Sequence, residues 1–126
     1  MSNPNIVNVT TIYGNSSQAA LSTTSATSLA SNAAASGKVY KINSIVVANN
    51  NGTAAANITI NIYSQASLGG TAYPIASTIS VPANATLVVT DKTTTFYLLE
   101  NQSIGATAGT ANYLTVNASW EEISSS

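Results

Sequence analysis

The tightest constraint on this chain is a run of strict alternation, Asn57-Ile58-Thr59-Ile60-Asn61-Ile62-Tyr63. Ile58, Ile60 and Ile62 fall on one side of an extended chain, and Asn57, Thr59, Asn61 and Tyr63 on the other. A period of two with apolar and polar sides describes a strand with one dry and one wet face. Upstream, Gly37 to Ala48 carries a second strand pattern. Tyr40, Ile42, Val46 and Ala48 share one side, and Val39, Ile45 and Val47 make the other side apolar as well. Such a strand is expected to be central and covered. Asn51-Gly52 lies between the two arms and predicts a hairpin, because both residues tolerate positive φ.

The same reading extends along the chain. Ile6 to Tyr13 predicts a first strand closed by Gly14-Asn15. Ser16 to Ser36 is almost wholly Ser, Ala, Thr and Asn, with Leu21 and Leu29 as its larger apolar side chains. Ser and Thr compete with a helix for backbone hydrogen bonds, so extended pieces are expected around 19–24 and 26–31. Ser64 to Tyr73, with Gly69-Gly70, is expected to be a loop, and Pro74 to limit the start of the next strand. Ile75, Ser77, Ile79 and Val81 then share a face before the Pro82-Ala83-Asn84 turn. Thr86 to Thr90, Phe96 to Leu99, Ser103 to Ala108 and Tyr113 to Glu122 complete the strands. In the last of these Leu114, Val116, Ala118 and Trp120 point inward.

Eight or nine short strands with frequent turn signals and no convincing helix predict an all-β fold, an antiparallel β-sandwich. The strand count and the long last strand favour a jelly-roll order over an immunoglobulin-like one. The 126 residues make one domain. Within it, residues 1–36 read as a strand and low-complexity arm, 37–123 as the sandwich core and 124–126 as a polar tail.

Composition decides which functions are open. Only 6% of residues are charged, against roughly a quarter in an average soluble domain. The charges are Lys38, Lys41, Asp91, Lys92, Glu100, Glu121 and Glu122, for a net charge of −1, with no Arg, His or Cys. Nucleic-acid grooves need clustered Arg and Lys, so no nucleic-acid partner is expected. A basic membrane-surface helix is excluded by the same count, and no apolar run reaches membrane-spanning length. The Met-Ser-Asn-Pro-Asn start lacks the basic and apolar regions of a secretory signal, so synthesis in a cytoplasm is expected.

Catalysis has little to work with. His and Cys, the usual base and thiol nucleophile, are missing. Glu121 and Glu122 are adjacent on a strand and point to opposite faces, so they cannot pair as glycosidase carboxylates do. No catalytic residue, cofactor site or metal site is expected. Among the aromatic side chains, Tyr63 and Tyr113 fall on wet strand faces and leave a carbohydrate-binding module open as an alternative. Trp120 is in register with the core.

Several segments together resemble small virion structural proteins of tailed bacteriophages, notably those infecting cyanobacteria and marine bacteria. They are GKVYKINSIVVANNNGTAAANITINIYS, ISVPANATLVV, FYLLENQSI and LTVNASWEEI, spanning Gly37 to Ile123. Asn101 departs from the pattern, standing where Gly is expected. The resemblance implies a non-enzymatic capsid decoration or cement protein, localised to the virion, forming a homo-oligomer and bound to the major capsid protein or another virion protein. A tail, neck or fibre component is the alternative within the same class. The partner contacts are expected from the arm Asn3 to Tyr13, with Ile6, Val7, Val9, Ile12 and Tyr13 as anchors, and deleting residues 1–15 is expected to abolish particle binding without unfolding the sandwich; the alternative is that Ile6 to Ile12 is an ordinary edge strand.

Overall fold

Ile58 and Ile60 are fully buried and Ile62 packs against the same core, as the alternation requires. The computed structural model describes residues 11–91 and 93–124, so Ile6, Val7 and Val9 lie outside the described residues. The described chain forms nine strands: β1 (Thr11–Ala20), β2 (Thr27–Asn32), β3 (Lys38–Asn49), β4 (Ala56–Gln65), β5 (Gly69–Val81), β6 (Thr86–Thr90), β7 (Phe96–Leu98), β8 (Gln102–Ala108) and β9 (Leu114–Ser124). They build two antiparallel sheets, an all-β sandwich. One sheet runs β1-β9-β3-β6 with β7 also on β3, and the other runs β2-β8-β4-β5.

The core lies between the sheets. Ile42, Ile45, Val47, Leu114, Val116 and Trp120 face Ile58, Ile60, Ile104 and Ala106 across it, and Leu21, Leu29 and Leu98 close its sides. Burial on this scale, at about 25 cal/mol per Å² of apolar surface, is the main force holding the sheets together. Gly105 sits where a Cβ would come within 2.8 Å of Leu68 and 3.0 Å of Tyr63, so the β4–β5 turn closes directly over β8.

Several expectations are corrected. The Asn51-Gly52 segment does not form a hairpin, because β3 and β4 belong to different sheets. Neither residue takes positive φ. Instead the Asn51 side chain accepts bonds from the Thr53 and Ala54 amides, and the loop carries the chain from one sheet to the other. On β3 the register against β9 shifts between Ile42 and Ser44. That extra residue turns Ile45, Val47 and Asn49 inward and Val46 and Ala48 outward, the reverse of uninterrupted alternation.

The loop expected over 64–73 is shorter. β4 continues to Gln65 and β5 starts at Gly69, so Pro74 lies inside a strand. It is tolerated because β5 is an edge strand. Register shifts on β5 replace the expected shared face with Tyr73, Ala76, Ile79 and Val81, which lie opposite Ile62, Ile60, Ile58 and Ala56. The first strand does not close at Gly14-Asn15. It runs through both to Ala20, because β9 offers an unbroken ladder from Ser124 to Thr115. Residues 11–36 therefore do not lie outside a 37–123 core. They supply an edge strand to each sheet and place Leu21 and Leu29 in the core. Asn101 takes φ 59, the left-handed conformation that makes Gly the expected residue there.

Candidate assembly interface

The described residues hold no group of three or more His, Cys, Asp or Glu side chains able to bind a metal. Their best-connected carboxylate is Glu122 on β9. It accepts bonds from Asn15 Nδ2 at 2.8 Å and Trp120 Nε1 at 3.2 Å, and it pairs with Lys38 Nζ at 3.4 Å. Tyr40 stacks on Trp120 beside it, with ring centroids 6.0 Å apart. Burial pushes the Glu122 carboxyl up, but the Asn15 and Trp120 bonds and the Lys38 charge outweigh it and hold it below the usual range. Three donors thus converge on this one carboxylate. It acts as a tie, joining the edge strand β1 to β9 and β3.

Two other acidic groups, Glu100 and Asp91, are also used locally. Glu100 accepts the Gly37 amide at 2.6 Å. Asp91 is held below its ordinary range by bonds from the Thr93 side chain and amide, which close the β6–β7 turn.

What the surface does present is apolar side chains at the margins of the sandwich. On β1, Ile12 is 55% exposed and Tyr13 62%. Ile12 lies opposite Ile123, which lies opposite Val39. Val39 and Ile123 are buried but lie outside the main core, so an apolar row crosses β3 and β9 and ends in the open at Ile12. At the other margin, Tyr73 is 58% exposed, Ile75 38% and Ile79 40%, all on β5. Val88 on β6 and Tyr97 on β7 are exposed as well.

Of the anchors expected from the sequence, the structure thus places Ile12 and Tyr13 together on an open edge. The exposed β5 side chains are not singled out by the sequence: alternation sets Ile75, Ser77, Ile79 and Val81 on one face, whereas the break at Thr78, which takes φ 49, moves Ile75 off the face that Ile79 and Val81 share with Ala76 and Tyr73. Tyr63 and Tyr113, the pair that left a carbohydrate-binding module open as an alternative, are both half-buried, Tyr113 against the core. The exposed tyrosines Tyr13, Tyr73 and Tyr97 sit on three different strands.

No family model matches the chain. No curated protein matches it either. Among solved structures it is similar to a chain of the Bacillus endospore appendages, a novel family of disulfide-linked pili. The TM-score is 0.54 at 17% sequence identity, over 92% of this chain and 90% of that one. At that identity the likeness is one of fold.

Proposed function

We propose that this chain is a non-enzymatic structural protein of a phage virion, a decoration or cement protein that binds the capsid shell and stabilises it. The observation that carries the reading is a sandwich with open, uncharged strand edges and large apolar side chains exposed along them. Surfaces of that kind associate by packing and by backbone pairing. With so few charges, such contacts weaken little as salt rises, which suits a particle in a saline medium. The partners are the major capsid protein and further copies of the chain.

The finer topology we assign is a jelly roll. Setting the short β7 aside, the orders β1-β9-β3-β6 and β2-β8-β4-β5 support it, since each sheet pairs an early strand with a late one, as two nested Greek keys do.

Cosedimentation of the purified chain with virions tests the reading. Saturable binding is expected, weakened by Ile12→Lys together with Tyr13→Lys in a variant whose thermal unfolding matches the parent. Sedimentation no greater than that of an inert protein of equal mass overturns it.

A second reading within the same class is a fibre or tail subunit. It is favoured by the fold shared with a chain of disulfide-linked pili. Because this chain contains no Cys, a fibre built from it would be held without disulfides. Filaments in electron micrographs of the concentrated protein would favour this reading over the capsid one.

A further inference from the structure

The strand edges of the sandwich are not equally open. Proteins blunt edges with charge, proline, bulges or short length, because an unguarded edge templates pairing with another chain. Charge is absent from β2, β5, β6 and β7, but each carries another guard. β2 spans 6 residues and shifts register between Ser28 and Ala30. β5 contains Pro74 and three register shifts. β6 spans 5 residues with one shift, and β7 spans 3. β1 has none of these devices. It is 10 residues long, uncharged and free of proline, and its ladder with β9 runs from Thr11↔Ser124 to Ala20↔Thr115 without a shift. Among the described residues no strand pairs with its outer edge.

We infer that the free edge of β1 pairs with β1 of a second copy, antiparallel across a two-fold axis normal to the sheet. This deepens the assembly reading, on which it rests, by naming a partner and a surface. The backbone amides and carbonyls of an open edge are complemented by another extended strand, the Ser16 amide exchanging its 2.8 Å bond to Asn15 Oδ1 for that strand, and a two-fold axis sets an edge antiparallel to itself. Such an axis also keeps each face of the sheet on its own side, so residues of like facing meet. The register that puts Ser16 opposite its own copy sets Ile12 against Ala20 and Tyr13 against Ala19. Large apolar side chains then meet small ones, and no charged residue lies on the edge. The two β1-β9-β3-β6 sheets become continuous through the pair.

Because the chain has no Cys, an introduced one reports cleanly. Ser16→Cys should oxidise to a disulfide dimer, since directly opposed Cβ atoms lie about 5 Å apart in such a pair, and it should do so far faster than Ser22→Cys on the neighbouring exposed loop. Sedimentation equilibrium of the unmodified chain should give twice the 12.8 kDa chain mass. Ser16→Lys, on an exposed position, should return it to the monomer mass, while Thr71→Lys on β5 should leave the dimer intact. A monomer mass for the parent, equal oxidation rates for the two Cys variants, or a dimer that survives Ser16→Lys would each overturn the pairing. An edge used for a strand of another protein would give the first of these results. The measurement contains no particles, so failure of virion binding would leave its outcome unaffected.

Discussion

Asn49 is where the chain leaves one sheet for the other, and its replacement tests how that crossing is held. The residue is 3% exposed. Its Nδ2 donates to Val81 O at 2.9 Å and Ala54 O at 3.0 Å, and its Oδ1 accepts the Asn51 amide at 2.8 Å. One side chain thereby joins the end of β3, the crossing loop and the end of β5. A buried hydrogen bond contributes about 1 kcal/mol net, and more is lost when a buried partner is left unpaired. Asn49→Ala breaks three, and water can reach the half-buried Ala54 and Asn51, so the expected loss is about 2–3 kcal/mol. For a chain of 126 residues that corresponds to a drop of roughly 10 °C in Tm.

Asn49→Asp separates bonding from shape. It is nearly isosteric, but at neutral pH it turns a carboxylate toward two carbonyl oxygens. It should therefore be less stable than Asn49→Ala at pH 7 and recover in acid, when the protonated carboxyl can donate. Urea unfolding of both variants beside Asn117→Ala, an exposed control, is the assay. If Asn49→Asp stays within about 1 kcal/mol of the parent at neutral pH, the two carbonyls do not depend on the amide and the reasoning fails.

Further outcomes follow from the packing and the ionisable groups. Ile60→Ala, at a fully buried position, should cost about 3 kcal/mol, while Ile12→Ala on the open edge should cost under about 0.5 kcal/mol, both read by urea unfolding. Gly105→Ala should lose about 1–3 kcal/mol by overpacking against Leu68 and Tyr63. The Glu122 carboxyl is held low in the fold, so its contribution is present above the ordinary glutamate range and is lost as pH falls through its lowered value. Thermal melts taken toward about pH 3 should therefore decline more steeply for the parent than for Glu122→Gln. Tyr40 is raised by its burial and then by the Glu122 charge, so its contribution holds below the ordinary tyrosine value of 10.0 and falls as pH rises past it. Tyr40→Phe should remove that alkaline decline.

The fold was legible in the sequence wherever alternation ran unbroken. Ile58, Ile60 and Ile62, and Leu114 through Trp120, face the core as read, and the turns at Pro82-Asn84 and Asp91-Thr94 hold their places. Alternation failed where a strand carries an extra residue. The shifts near Asn43 on β3 and Thr78 on β5 change which side chains face inward, and no residue type at either place announces a bulge. The Asn51-Gly52 crossing was misread because a hairpin signal is local, while the sheet a strand joins is decided by distant partners. The continuation of β1 through Gly14 to Ala20 was hidden for the same reason. Its side chains bury little, and the strand forms because β9 is there to pair with it. At the candidate interface, Ile12 and Tyr13 could be picked out as apolar residues. An edge strand could be read there as an alternative, but not that β9 is its neighbour or which edge stays open, because those are defined only by the assembled sheet.

The proposed role as a structural component of a virion shell is tested by the copy number of the chain in purified particles. Quantitative mass spectrometry against the major capsid protein should give a ratio near one or a simple fraction of one. Absence of the chain from the particles would contradict the claim.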